Sequence, residues 1–288
     1  QLRRVLVVAQ FALASLLLLG AASLSRELAR LQGATLGFRP EALLMARVSL
    51  PEVVDESSHR RALAQYQSFL GEARALPGVR AAAISSEVPM GELDTSMEIV
   101  AGTDPARLGE ATQASWRIVS DGYLQALGVP LLRGREFRPG DESAREIILS
   151  AGLARTLWPD GEEAVGRDVT LGNGLSFRVV GVAGDVRQLR LDGPPTPTMY
   201  LPVQWYLWPT MTLVVRGERD AGALLTPIRD LARRVWPEYP LFDLRQVSTL
   251  VQAQTDAPQR ELTVIATFAS ASGLLAALGI GSVIAFGI

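Results

Sequence analysis

The sequence predicts a mixed α+β domain of two lobes, held outside the cytoplasm between two membrane-spanning helices. Two uncharged apolar runs, one at each end, and the alternation of strand and helix patterns between them carry that expectation. Val5–Ser25 has no charged side chain across 21 residues. At about 1.5 Å per helical residue it reaches roughly 30 Å, the thickness of a bilayer's hydrocarbon core. It exceeds the roughly 7–15 apolar residues of a secretory leader, and no convincing small-x-small cleavage pattern follows it. Leu262–Ile288 is again uncharged over 27 residues and is punctuated by Gly273, Gly279, Gly281 and Gly287; glycine lets membrane helices approach closely. Because the sequence stops inside this second run, the chain is expected to be a piece of something longer.

Composition removes several function classes. A net charge of −2 argues against a nucleic-acid partner. There is no cysteine, which excludes disulfides and thiol chemistry, and the single histidine, His59, argues against a zinc site. All 28 basic residues are arginine, so no Walker A lysine exists and the chain supplies no P-loop of its own.

Taken in order, Leu24, Leu28 and Leu31 fall at i, i+4 and i+7, so the first span is expected to continue as a helix until Gly33 and Gly37 end it. Leu43–Leu50 reads as a strand closed by Pro51. Ser58 is the expected N-cap of a helix to Leu76 with Leu63, Tyr66, Leu70 and Ala73 on one face. Pro77-Gly78 is a turn, and Val79–Ser85 the next strand. This β–α–β pattern recurs at the far end as Met211–Arg216, a helix over Ala221–Trp236, and Leu241–Leu244. Between the two lie short strands at Met97–Ala101, Ser115–Val119, Leu131–Leu132, Ile147–Leu149, Asp168–Leu171, Phe177–Val182 and Met199–Leu201, with short helices at Gly122–Leu127 and Ala151–Leu157. The expected organisation is a first span with stalk (1–32), the first part of an α+β lobe (33–89), a β-rich inserted lobe (90–209), the second part of the α+β lobe (210–246), and a return stalk with the second span (247–288).

The ordered stretches resemble one family throughout. LRRVLVVAQFALASLLLLGAASLSRELARLQGATLGFRPEALL is similar to the first membrane helix and exit of the MacB/FtsX-like ABC transporter permeases. RALPGVRAAAISSEVPMG, VSDGYLQALGVPLLRGREF, LARTLWPDGEEAVGRDV and VVGVAGDVRQLRLDG resemble that family's extracytoplasmic core domain, and QRELTVIATFASASGLLAALGIGSVIAFGI its second membrane helix. The resemblance implies a permease in the cell inner membrane, most similar to the second half of a duplicated permease. It also implies an ATPase on a separate subunit or domain, further permease helices or a second half, and contact with membrane lipid. A periplasmic adaptor or a lipoprotein is a further implied partner; a nucleic acid is not. The alternative is a two-span receptor with an extracytoplasmic ligand-sensing domain; a membrane-anchored hydrolase lacks any visible nucleophile–base set.

Two groups of residues stand out. Leu28 and Leu31 leave the first span, and Val247, Leu250 and Val251 approach the second on one helical face. These are the expected coupling stalk, because each apolar stripe is too narrow to be stable alone in water. Trp205, Tyr206 and Trp208, following Tyr200, either pack the junction of the two lobes or offer a surface for substrate or partner. His59 beside Arg60 and Arg61 reads as an exposed helix residue. Asp141-Glu142 and Glu162-Glu163 read as solvated loop pairs, and Gly172-Asn173-Gly174 as a hairpin turn rather than a phosphate loop. No catalytic residue, cofactor or metal site is expected.

Overall fold

The computed structural model describes residues 35–49, 55–91, 95–138, 145–191 and 193–254, with scattered residues of the terminal segments. The runs Val5–Ser25 and Leu262–Ile288 lie mostly outside the described residues, and among those described no helix is long and apolar enough to cross a membrane. The chain divides into two compact units, Gln1–Thr35 with Gln252–Ile288, and Leu36–Val251. All elements below belong to the second.

The first strand, β1 (Leu43–Ser49), is buried on both faces, which suits its near-continuous apolar sequence. Helix α1 (Glu56–Ala75) follows. Its N-cap is Asp55 rather than Ser58: the Asp55 carboxylate accepts the Ser58 N–H at 2.7 Å, and the Ser58 hydroxyl answers from the third helical position. The spacing of Ala62, Leu63, Tyr66, Phe69, Leu70 and Ala73 gives α1 one buried stripe. Strand β2 (Val79–Ser85) returns through Gly78, which has φ +82. At the far end, β10 (Thr210–Gly217) leads through a 3₁₀ turn, Ala221–Leu224, into helix α4 (Leu225–Val235) and then β11 (Phe242–Gln246). The sequence reading made the turn and helix one element. Pro227, three residues into α4, has no N–H to extend the helical ladder backward.

The two β–α–β patterns interleave. The strand order is β11-β1-β10-β2, every neighbour antiparallel. Strand β10 therefore lies between β1 and β2, and β1 between β10 and β11. Each pattern is a split β–α–β unit whose gap is filled by a strand of the other. Leu44, Ala46, Val48, Ile84, Met211, Leu213 and Val215 face α1 and α4 and form one apolar core with Phe69, Ile228, Leu231 and Trp236.

The intervening segment supplies β3 (Ser96–Ala101), β4 (Thr112–Val119), helix α2 (Tyr123–Leu127), β5 (Leu131–Gly134), β6 (Glu146–Ser150), helix α3 (Ala151–Leu157), β7 (Asp168–Leu171), β8 (Ser176–Ala183) and β9 (Thr198–Pro202). Strands β4, β3, β7, β8, β6 and β9 pair in that order, and a parallel β4–β9 pairing closes them into a ring. Alternate residues point inward: Val169 and Leu171, Phe177 and Val179, Ile147 and Leu149, Met199 and Leu201 build a second apolar core. Gly172-Asn173-Gly174 is the hairpin turn between β7 and β8, with Gly174 at φ +79 and the Asn173 side chain accepting from the Leu175 N–H. Ring and sheet share one strand pairing, Ser85 opposite Val119.

Two measurements check these assignments. Phe69 is fully buried and stacks on Trp236 with ring centres 4.1 Å apart, so Phe69→Ala should cost about 3–5 kcal/mol in urea unfolding. A cost below about 1 kcal/mol would place Phe69 outside the core. The Ser58 amide, and then the Ser57 and Ser58 hydroxyls, hold the Asp55 carboxyl down from the ordinary 3.8 to about 2. A depressed carboxyl contributes stability that is complete above its unfolded value and is lost as pH falls through the folded one. The cap should therefore persist down to pH 3.8 and fail toward pH 2, and an NMR titration of Asp55 should move back toward 3.8 in Ser58→Ala.

Candidate functional site

The chain enters and leaves the folded unit through adjacent strand ends. β1 and β11 are antiparallel neighbours with Leu44 opposite Gln246, so the start of β1 lies beside the end of β11. Past Gln246 the backbone turns helical over residues 247–251, the end of this unit. Val247 is fully buried, whereas Leu250 and Val251 are half-buried. Leu28 and Leu31, the other side of the expected stalk, lie outside the described residues.

The entry segment before β1 is held by an arginine that sequence reasoning passed over. Arg216 stands opposite Leu43 on the sheet face away from α1 and α4. Its guanidinium donates to the carbonyls of Ala126, Glu41 (3.1 Å) and Arg39 (2.6 Å). Burial first, then the Arg39 charge, push its pKa down from the ordinary value; three carbonyl acceptors offset that desolvation, since a buried charge needs partners. Arg39 also donates its N–H to Leu127 O at 2.9 Å. Residues 39–41 are thereby tied to both β10 and α2. On the same face Arg47 pairs with the buried Glu87 at 2.9 Å, and the Tyr123 hydroxyl, pushed up to about 12 by burial, donates to Glu87 O. No spacing rule marks these residues, because their partners, backbone carbonyls and the Glu87 carboxylate, are distant in sequence.

The aromatic group sits where β9 leads into β10. Tyr200 is fully buried in β9. Trp205 meets Phe177 of the ring edge-on at 5.1 Å, Tyr206 lies 6.3 Å from Trp205 and 5.9 Å from Trp208, and Trp208 stacks on Trp116 at 5.6 Å. Trp205 packs against the ring core and Trp208 against the sheet core, while Trp116 touches both. Tyr206 is 42% exposed. His59 is not a free helix residue: it is half-buried and its Nε2 lies 3.1 Å from Gln204 O, tying α1 to this segment. Glu162 and Glu163 form surface ion pairs with Arg167 and Arg133; Asp141-Glu142 lies outside the described residues.

The arrangement is that of a mixed α/β domain whose first and last strands, β1 and β11, are neighbours. The family model of the MacB-like periplasmic core domain matches residues 6–259, and the chain belongs to that family. It is thus an extracytoplasmic domain of a membrane protein of the ABC transporter permease class. The chain is similar to the periplasmic region of MacB from Actinobacillus actinomycetemcomitans, with 14% identity, a TM-score of 0.49, and coverage of 76% of this chain and 95% of that one. It is also similar to the extracellular domain of the noncanonic ABC-type transporter YknZ from Gram-positive bacteria, with 16% identity, a TM-score of 0.44, and coverage of 69% and 100%. A domain of a putative permease protein from Porphyromonas gingivalis gives 14% identity, a TM-score of 0.43, and coverage of 73% and 94%. Comparison with curated protein sequences returns no match.

The half-buried tryptophans and the exposed tyrosine separate packing from surface. Trp208→Ala should destabilise the domain measurably, though by less than the roughly 3–5 kcal/mol of a fully buried aromatic. Tyr206→Ala should stay within about 1 kcal/mol of the parent, as an exposed aromatic pair does. Equal losses in chemical denaturation would mean that Tyr206 is part of the packed joint.

Proposed function

We propose that the chain is a permease segment of an ABC-type transporter that couples ATP hydrolysis on a separate subunit or domain to motion of its extracytoplasmic domain, for export or extraction of a substrate. Family membership gives the class. The observation that carries the reading further is the adjacency of entry and return strands: a force applied to either terminal segment reaches the same sheet edge. On this reading Val5–Ser25 and Leu262–Ile288 are inner-membrane spans. Leu28, Leu31, Val247, Leu250 and Val251 form the stalk, and the sheet and the ring are the two lobes, meeting at Trp205, Tyr206 and Trp208. The domain does no chemistry itself; nucleotide bound elsewhere shifts it between two packings. The ATPase, further permease helices or a second permease half, membrane lipid, and a periplasmic adaptor or lipoprotein are the corresponding partners.

The absence of cysteine from the sequence makes topology directly testable. Single cysteines at Asn173→Cys and Gln1→Cys, probed with an impermeant maleimide on intact cells with a permeable outer envelope, should label at the first site and not at the second. Labelling of Gln1→Cys alone would reverse the orientation and remove the reading. Energy coupling has its own check: cross-linking of Leu31→Cys with Val247→Cys in the assembled transporter should change in yield when nucleotide is added. Formation of a disulfide requires Cα atoms within about 7 Å, and a yield indifferent to nucleotide would make the stalk a passive tether.

A further inference from the structure

The loop after β8, residues 184–191, runs from the ring to the entry segment, and its backbone and side chains are committed at both ends. On the ring side, Asp185 accepts the Gly152 N–H through Oδ1 and the Arg155 guanidinium through Oδ2 at 2.9 Å, fastening the loop to the start of α3. On the entry side, Arg187 N–H donates to Leu36 O at 3.0 Å. Gly37 has φ +80, and a Cβ placed there would collide with the Asp185 carbonyl. Backbone lies on backbone at this point, and only glycine permits the approach. Beyond it, Gln188 O accepts the Met90 N–H at 2.7 Å, just past β2. Val186 and Gln188 are buried, so the loop is packed as a strap rather than draped over the surface.

The entry segment is therefore gripped from two sides. Arg216 ties residues 39 and 41 to the sheet, and the strap ties residues 36 and 37 to the ring. We propose that the 184–191 strap, with Asp185 as its positioning residue, fixes the orientation of the ring on the entry segment, so that a displacement of the entry carries the ring with it. Beside the Ser85–Val119 pairing, the Ser86–Ile118 and Ser120–Ile84 backbone bonds hold β4 to β2; the strap is the contact that joins the far side of the ring, at β8 and α3, to the entry segment. Its use in transport rests on the permease reading, whereas the clamp itself does not.

The test uses the full chain in nanodiscs, nitroxide-labelled at Gln67→Cys on α1 and Asn173→Cys on the β7–β8 turn. Both positions are exposed, and the sequence has no cysteine to interfere. The pulsed-EPR distance distribution of this parent should be a single narrow peak. Gly37→Ala and Asp185→Ala should shift or broaden it, while Asp185→Asn, which keeps an acceptor for the Gly152 N–H, should stay close to the parent. Arg155 has a side chain 70% exposed, so Arg155→Ala leaves the core intact. It should broaden the peak less than Asp185→Ala, and it carries the test if the other variants do not fold. A parent-like distribution in the folded variants overturns the proposal, and a parent-like Asp185→Ala beside a broadened Gly37→Ala removes Asp185 from its role. A failure of the permease reading would appear elsewhere, as a Leu31→Cys with Val247→Cys cross-link yield that does not respond to nucleotide in the assembled transporter.

Discussion

Strand β10 is the constraint on which the rest of the structure depends. It hydrogen-bonds to β1 along Leu43–Ser49 and to β2 along Val79–Ser85, filling the gap that the first split β–α–β unit leaves. Both helices pack on the face that this pairing completes, and Trp236, at the end of α4, stacks on Phe69 of α1 across it. The pairing joins residues more than a hundred positions apart in sequence. Loop-closure entropy for such a contact grows only slowly with loop length, and the ring shortens the effective loop further by folding upon itself. Non-local pairings of this kind fold slowly, but they make the sheet a tie between distant parts of the chain.

That tie explains the geometry of the ends. Since β11 adds to the outer edge of β1, the chain leaves beside the place where it enters. Both flanking segments therefore join the folded unit at neighbouring strands. The face of the sheet opposite the helices is polar in selected places: Arg216 and Arg47 lie within it, satisfied by carbonyls and by Glu87. An uncharged side chain at Arg216 would leave three carbonyls without this donor; the bond to Ala126 O is buried, and a buried acceptor without a partner costs about 1–3 kcal/mol. The arginine is better understood as a backbone clamp than as a charge.

Much of this was legible in the sequence. The near-continuous apolar run of Leu43–Leu50, the stripe through Leu63, Tyr66 and Leu70, and the glycine and proline turns place most elements within about three residues, because period and turn chemistry are local. The N-cap was misplaced by three residues because Asp55 and Ser58 are both competent caps and only the reciprocal bond between them decides. The interleaving of the two β–α–β units could not be read locally: neither unit records which strand fills its gap. Ring closure through the parallel β4–β9 pairing is non-local in the same way. His59 looked solvated among Arg60 and Arg61, yet its partner is a carbonyl 145 positions away. Of the expected stalk, Val247 is buried at the end of β11. The aromatic residues were singled out by their place where the inserted segment returns to the sheet; their order from Phe177 to Trp116 is visible only in the fold.

The dependence of the sheet on β10 is open to one direct measurement, amide hydrogen exchange on a Val214→Pro chain. Val214 pairs with Met45 on one side and Ala83 on the other, and proline removes the N–H donor from the middle of the strand. The account predicts that β1, β2, α1 and α4 lose protection together, while β3, β7, β8 and β6 of the ring keep theirs. Retained protection in β1 and β2 would show that the sheet does not rest on β10, and an equal loss throughout the ring would show that sheet and ring are a single cooperative body.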